Sequence, residues 1–180
     1  MGDLKKAKSD KADFYLVCGP SGSGKTVLSN RIIDMNPGIR LIDADNYYKI
    51  LNGDECIRDN IFEVWMKIFE DIHSCEIKEE NVLLSTAALT AAQRNQFVVW
   101  FPTFRHHILW MSVPREKCVE GNMNRRRWVP SDVMTKQWNE MEFPNASEYG
   151  WDTVTHVTHN WKDSYTLLHI KGHVDKYLTI

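Results

Sequence analysis

From Asp13 onward, short apolar runs alternate with longer stretches in which apolar residues recur at helical spacing, the pattern of β-α-β units around a parallel sheet. The run Phe14-Tyr15-Leu16-Val17-Cys18 is continuously apolar, so it predicts a strand covered on both faces. It enters a glycine-rich turn from Gly19 to Gly24. Leu28, Ile32 and Met35 then share one helical stripe, which Asn36-Pro37-Gly38 stops. Ile39 to Asp43 predicts a second strand and Val82-Leu83-Leu84 a third. Between them Ile57, Ile61, Trp65, Ile68 and Ile72 predict one long amphipathic helix from Glu55 to about Ile77. A helix over Thr90 to Trp100 and a strand over His107 to Val113 follow. Pro114 opens the next helix, another begins at Ser131, and Thr153 to His159 alternates as a fifth strand. The stretch after Trp161 offers no pattern.

Composition narrows this picture. A chain of 180 residues with 43% apolar content suffices for one compact domain, expected over residues 13–180. Met1 to Ala12 sets Lys5, Lys6, Lys8 and Lys11 among small and acidic residues, and reads as a flexible arm. No apolar h-region opens the chain and no run approaches the roughly 18 apolar residues of a membrane span, so a soluble cytoplasmic protein is expected. Cys18, Cys56, Cys75 and Cys118 lack metal-site spacing and read as reduced thiols. A net charge of −2 excludes a general phosphate-backbone footprint, so any contact with nucleic acid must be local. The seven tryptophans read as packing anchors.

The chemistry begins at Gly19-Pro20-Ser21-Gly22-Ser23-Gly24-Lys25-Thr26, which fits G-x-x-x-x-G-K-[ST] between a predicted strand and a predicted helix. Gly19, Gly22 and Gly24 let the backbone curl so that its N–H groups, with those of Ser21 and Ser23, face the phosphates of ATP at the positive end of a helix. Lys25 supplies a mobile charge to the β- and γ-phosphates, and the Thr26 hydroxyl is a hard ligand for Mg²⁺.

Asp43-Ala44-Asp45 stands where the second strand leaves the sheet, the end at which α/β proteins bind ligands. Period-two spacing would send both carboxylates to one side, Asp43 to the magnesium shell and Asp45 to the proton of an attacking hydroxyl. Arg125-Arg126-Arg127 is a basic cluster on an expected lid over about residues 115–130. Arg125 and Arg126 would steady phosphoryl transfer, and Arg127 would hold nucleotide.

These residues resemble the small P-loop kinases that include gluconokinase, shikimate kinase and the kinase domain of polynucleotide 5′-kinases, over about Phe14 to Val157. The resemblance implies an α/β P-loop NTPase fold with a five-stranded parallel sheet in the order 2-3-1-4-5, flanked by helices and carrying a helical lid. Asp43-Ala44-Asp45 is similar to the D-x-D of the metabolite kinases. Ser85-Thr86-Ala87-Ala88-Leu89 with Arg94 resembles a gluconokinase segment, which implies that Arg94 faces substrate. Val129-Pro130, Gln137-Trp138, Glu142-Phe143-Pro144 and Glu148 resemble the family's lid-to-helix pattern. The expected activity is ATP- and Mg²⁺-dependent phosphorylation of a hydroxyl on a small metabolite or nucleoside-like acceptor. Phosphorylation of a DNA or RNA 5′-hydroxyl is the alternative that Arg125 to Arg127 raise. A non-catalytic ATP-binding switch is the alternative raised by Thr86, which stands where polynucleotide kinases carry an acid.

Overall fold

A computed structural model describes residues 11–54, 59–125, 128–159 and 164–180. Most of the expected N-terminal arm, the Glu55 to Ile57 start of the expected long helix, Cys56, Arg126, Arg127 and Trp161 lie outside the described residues. In chain order the elements are β1 (Asp13–Cys18), α1 (Lys25–Met35), β2 (Arg40–Asp43), α2 (Ala44–Asn52), α3 (Ile61–Ile77), β3 (Val82–Ser85) and α4 (Ala91–Trp100). β4 (Arg105–Met111), α5 (Arg115–Met123), α6 (Ser131–Glu140), β5 (Thr153–His159), β6 (Tyr165–Lys171) and a 3-10 turn (Val174–Lys176) complete them.

The sheet runs β2-β3-β1-β4-β5-β6. Its first five strands are parallel in the expected order 2-3-1-4-5. The expectation of five strands is corrected by β6, which pairs antiparallel with β5, His169 opposite Thr155. Every residue of β1 is buried, because helices cover both faces of the sheet. Phe14, Leu16 and Cys18 point into one core with Val64, Ile68 and Ile72 of α3 and Phe97 of α4. Tyr15 and Val17 point into the other, with Leu28 and Ile32 of α1, Cys118 of α5, Met134 of α6 and Val174 and Leu178 near the C-terminus. Strand alternation thus sorts one continuous apolar run into two cores.

Two helical expectations are corrected. The helix expected from Glu55 begins, within the described residues, at Ile61, after Asn60 at φ 51. Its buried stripe is Val64, Ile68, Ile72 and Cys75, whereas Ile61 is 54% exposed and Trp65 is half-buried. A separate helix, α2, begins directly at the end of β2. On α1, Leu28 and Ile32 are buried as expected, and Met35 is exposed. Cys18, Cys75 and Cys118 are buried free thiols. Among the described residues no helix is long and apolar enough to cross a membrane.

Candidate active site

The site forms where the carboxyl ends of β1, β2 and β3 meet. Asp43, Ser85 and Val17 stand in register across these strands. Beyond them the chain curls from Gly19 into α1. Gly19, Gly22 and Gly24 have φ values of 141°, 78° and 90°, a region that L side chains rarely adopt. Close packing adds a second demand at Gly22, where a Cβ would stand 2.0 Å from the carbonyl oxygen of Cys118 on α5. The loop is tied on two sides. Gly19 N–H donates to Ala87 O at 3.0 Å, and Ser21 N–H donates to the Gln137 side-chain oxygen on α6 at 2.9 Å.

A cavity of about 390 Å³ opens over this curl and is lined by Ser21, Gly22, Gly24, Lys25 and Thr26 on one side and by Asp43 and Asp45 on another. Arg125, just after α5, and Gln137 on α6 also line it. Tyr48 and Trp65 form an aromatic wall beside Asp45. The Trp65 indole hydrogen-bonds Tyr48, and since an indole can only donate, the Tyr48 oxygen is the acceptor. The sequence-predicted Gly19 and Ser23 lie in the same curl and are buried.

Asp43 and Asp45 both reach the cavity, although not by strand alternation. Asp43 ends β2 and caps α2, its carboxylate accepting the Asp45 N–H at 3.0 Å, and Asp45 sits in the first helical turn. Burial and the neighbouring Asp45 carboxylate hold Asp43 above its ordinary pKa. A group that resists ionisation beside a second carboxylate is stabilised by a cation between them. The Thr26 hydroxyl and the Asp43 carboxylate therefore offer hard oxygens suited to Mg²⁺, and the positive-φ glycine curl suits a triphosphate.

Lys25 Nζ donates to Gly19 O and Pro20 O, each at 2.9 Å. Burial pushes its ammonium down to about 8, against the opposing pull of Asp45. The charge that would attract a triphosphate is thus present below pH 8 and lost above it. ATP affinity is expected to fall as pH rises through about 8, and binding at pH 8 to take up protons. Calorimetry in buffers of different ionisation enthalpy measures that uptake; a buffer-independent heat would argue against it.

Arg94, expected to face substrate, is instead fully buried on α4. Its guanidinium donates to Ala88 O at 3.3 Å and Leu89 O at 3.0 Å, pairs with the Glu148 carboxylate, and lies 5.6 Å from the Trp110 ring centre. Ala88 is held at φ 39, an uncommon conformation for a residue with a Cβ. The Arg94 guanidinium thus ties α4 to Ala88, Leu89 and Glu148, away from the cavity. Asn122 of α5 accepts from Val129 N–H at 3.0 Å and donates to Val129 O at 2.9 Å. Neither Tyr48 nor Trp65 is among the sequence-expected site residues, and Trp65 was expected on the buried stripe of the long helix. Tyr48 lies three residues after Asp45, which places it on the same helix face once α2 is known, whereas Trp65 gave no signal beyond its size.

A family model described as an AAA domain matches residues 15–143. The chain belongs to that AAA domain family. Its fold is that of P-loop kinases, as solved structures also show. A chain of the Pnkp1/Rnl/Hen1 RNA repair complex aligns with a TM-score of 0.66 at 12% identity, over 75% of this chain and 45% of that one. This chain thus spans less than half of that relative. A sugar kinase from Janibacter sp. aligns with a TM-score of 0.60 at 19% identity, over 81% and 85% of the two chains. A gluconokinase from Sinorhizobium meliloti aligns with a TM-score of 0.56 at 21% identity, over 84% of each. No curated protein sequence matches significantly.

Proposed function

We propose that this chain is a kinase that transfers the γ-phosphoryl group of ATP to a hydroxyl of a small metabolite or nucleoside-like acceptor. The observation that carries this reading is the meeting, across one cavity, of the Gly19–Thr26 curl with Asp43 and Asp45. The curl and Lys25 hold and orient the phosphates. Asp45 takes the proton of the acceptor hydroxyl, and Arg125 offsets charge as it develops on the transferred group. Mg²⁺, held through Thr26 and Asp43, would draw charge from the phosphate oxygens. The aromatic wall of Tyr48 and Trp65 beside Asp45 favours an acceptor with a ring to lay against it. Arg94, paired with Glu148 away from the cavity, is not the cation that would hold an acidic acceptor.

The test is ADP release from Mg-ATP in the presence of neutral sugars, sugar acids, nucleosides and 5′-hydroxyl oligonucleotides. Release with a nucleoside or neutral sugar is expected; none above the acceptor-free rate in every pool counts against the proposal. Lys25→Ala is expected to lower kcat roughly 10²–10³-fold, because it removes a charge that acts on the transferring group. Steady-state kinetics on the acceptor so identified checks this, with circular dichroism to confirm folding.

A second reading, phosphorylation of a nucleic-acid 5′-hydroxyl, is favoured by the alignment with the RNA repair chain and by Arg125 to Arg127. Oligonucleotide affinity that falls steeply with salt would mark it.

A further inference from the structure

At the far end of the sheet from the cavity, His169, His173 and Asp175 bring two imidazoles and a carboxylate together, with one ligand atom of each within 4.8 Å of the others. His169 Nε2 and His173 Nδ1 each stand 3.9 Å from Asp175 Oδ1. Three ligands about 2.0–2.1 Å from a tetrahedral zinc ion lie about 3.3 Å apart, so sub-ångström shifts of these side chains would close the geometry.

The three backbones are fixed independently of any ligand. His169 is paired with Thr155 in the β5–β6 ladder. His173 follows Gly172, which at φ 61 packs so tightly on β5 that a Cβ would meet Asp152 O at 2.8 Å. Asp175 lies in the 3-10 turn whose Val174 is fully buried in the second core. The outer support is present as well, since Thr155 Oγ1 lies 3.1 Å from His169 Nδ1. A proton on Nδ1 donated to that oxygen leaves the Nε2 lone pair facing the other two ligands.

We propose that His169, His173 and Asp175 form a zinc site, three-coordinate in protein ligands with water in the fourth position, that fastens the C-terminal segment to the sheet. Two imidazoles with one carboxylate suit zinc and not magnesium, which prefers oxygen donors. The site is separate from the cavity: these residues neighbour the amino end of β5, whereas His159 at its carboxyl end lies 3.0 Å from Ser23 O in the phosphate loop. It therefore stands or falls independently of the kinase proposal.

The experiment is equilibrium dialysis of the full chain against zinc chloride, with bound metal counted by mass spectrometry. His173→Asn and Asp175→Asn alter exposed side chains, 59% and 60% accessible, and leave the cores intact. Wild type is expected to hold one equivalent more than either variant, and zinc to raise the thermal midpoint of wild type alone. Thr155→Val keeps the shape but removes the partner of His169, and is expected to weaken zinc 10–100-fold. Equal zinc uptake by wild type and both exposed-ligand variants would overturn the site. So would uptake by wild type with no rise in midpoint beyond that of the variants, since the ion would then fasten nothing.

Discussion

Asp45→Asn is expected to abolish nearly all phosphoryl transfer while leaving ATP bound. The side chain keeps its size in the first turn of α2, so the cap that Asp43 makes on the Asp45 amide survives. The amide cannot accept a proton, and loss of a positioned general base costs roughly 10²–10⁴-fold in kcat, about 3–5 kcal/mol of barrier. ATP affinity should hold or rise, because a negative charge beside the triphosphate is gone. A second signature comes from Lys25, whose pKa Asp45 raises. Without that carboxylate the lysine loses its proton at lower pH, so the decline of ATP affinity at high pH should move to lower pH. Calorimetry across pH together with single-turnover kinetics separates these effects, and an unchanged kcat would remove Asp45 from the chemistry.

Glu148→Gln is expected to cost about 3–5 kcal/mol of stability, because it strands the Arg94 guanidinium in the core without its counter-ion. The pair joins α4 to the segment before β5, and both side chains are almost wholly buried. It is imperfectly satisfied as well, since Arg94 Nε and Glu148 Oε2 find no hydrogen-bond partner among the described residues. Replacing both by methionine should therefore recover most of the lost stability, as buried ion pairs exchanged for packed apolar groups often do. Urea denaturation of the three proteins measures this. The double variant should also keep the wild-type KM for the acceptor, since neither side chain lines the cavity. A raised acceptor KM in a stable double variant would return Arg94 to the substrate; a single variant as stable as wild type would empty the pair of structural weight.

Much of the parallel framework was legible because its signals are local. A continuous apolar run such as Phe14–Cys18 needs two covering layers, and G-x-x-x-x-G-K-T fixes both the turn and the helix after it. The cavity-facing Asp43 and Asp45 were found for an incomplete reason. Asp and Asn at the end of β2 are turn formers, and the same residues open helices, so α2 was invisible until its cap was seen. Trp65 was read as core because a tryptophan at helical spacing usually is, yet a shift of the buried stripe by one residue position in α3 puts Val64 inside and turns Trp65 to the cavity. Arg94 misled because its partner, Glu148, lies 54 positions away. Sequence spacing shows which residues share a helix face, not which distant carboxylate will neutralise a charge. β6 was missed because an edge strand is covered on fewer sides, and Leu167-Leu168 breaks its alternation.

The bond from Ser21 N–H to Gln137 leaves α6 and the phosphate loop without independence of each other. Whatever phosphate occupancy does to the Ser21 amide is felt on α6, and whatever displaces α6 changes the loop's appetite for phosphate by an equal free energy. Under the proposed kinase reading, an acceptor that shifts α6 would therefore also alter how firmly nucleotide is held on the curl.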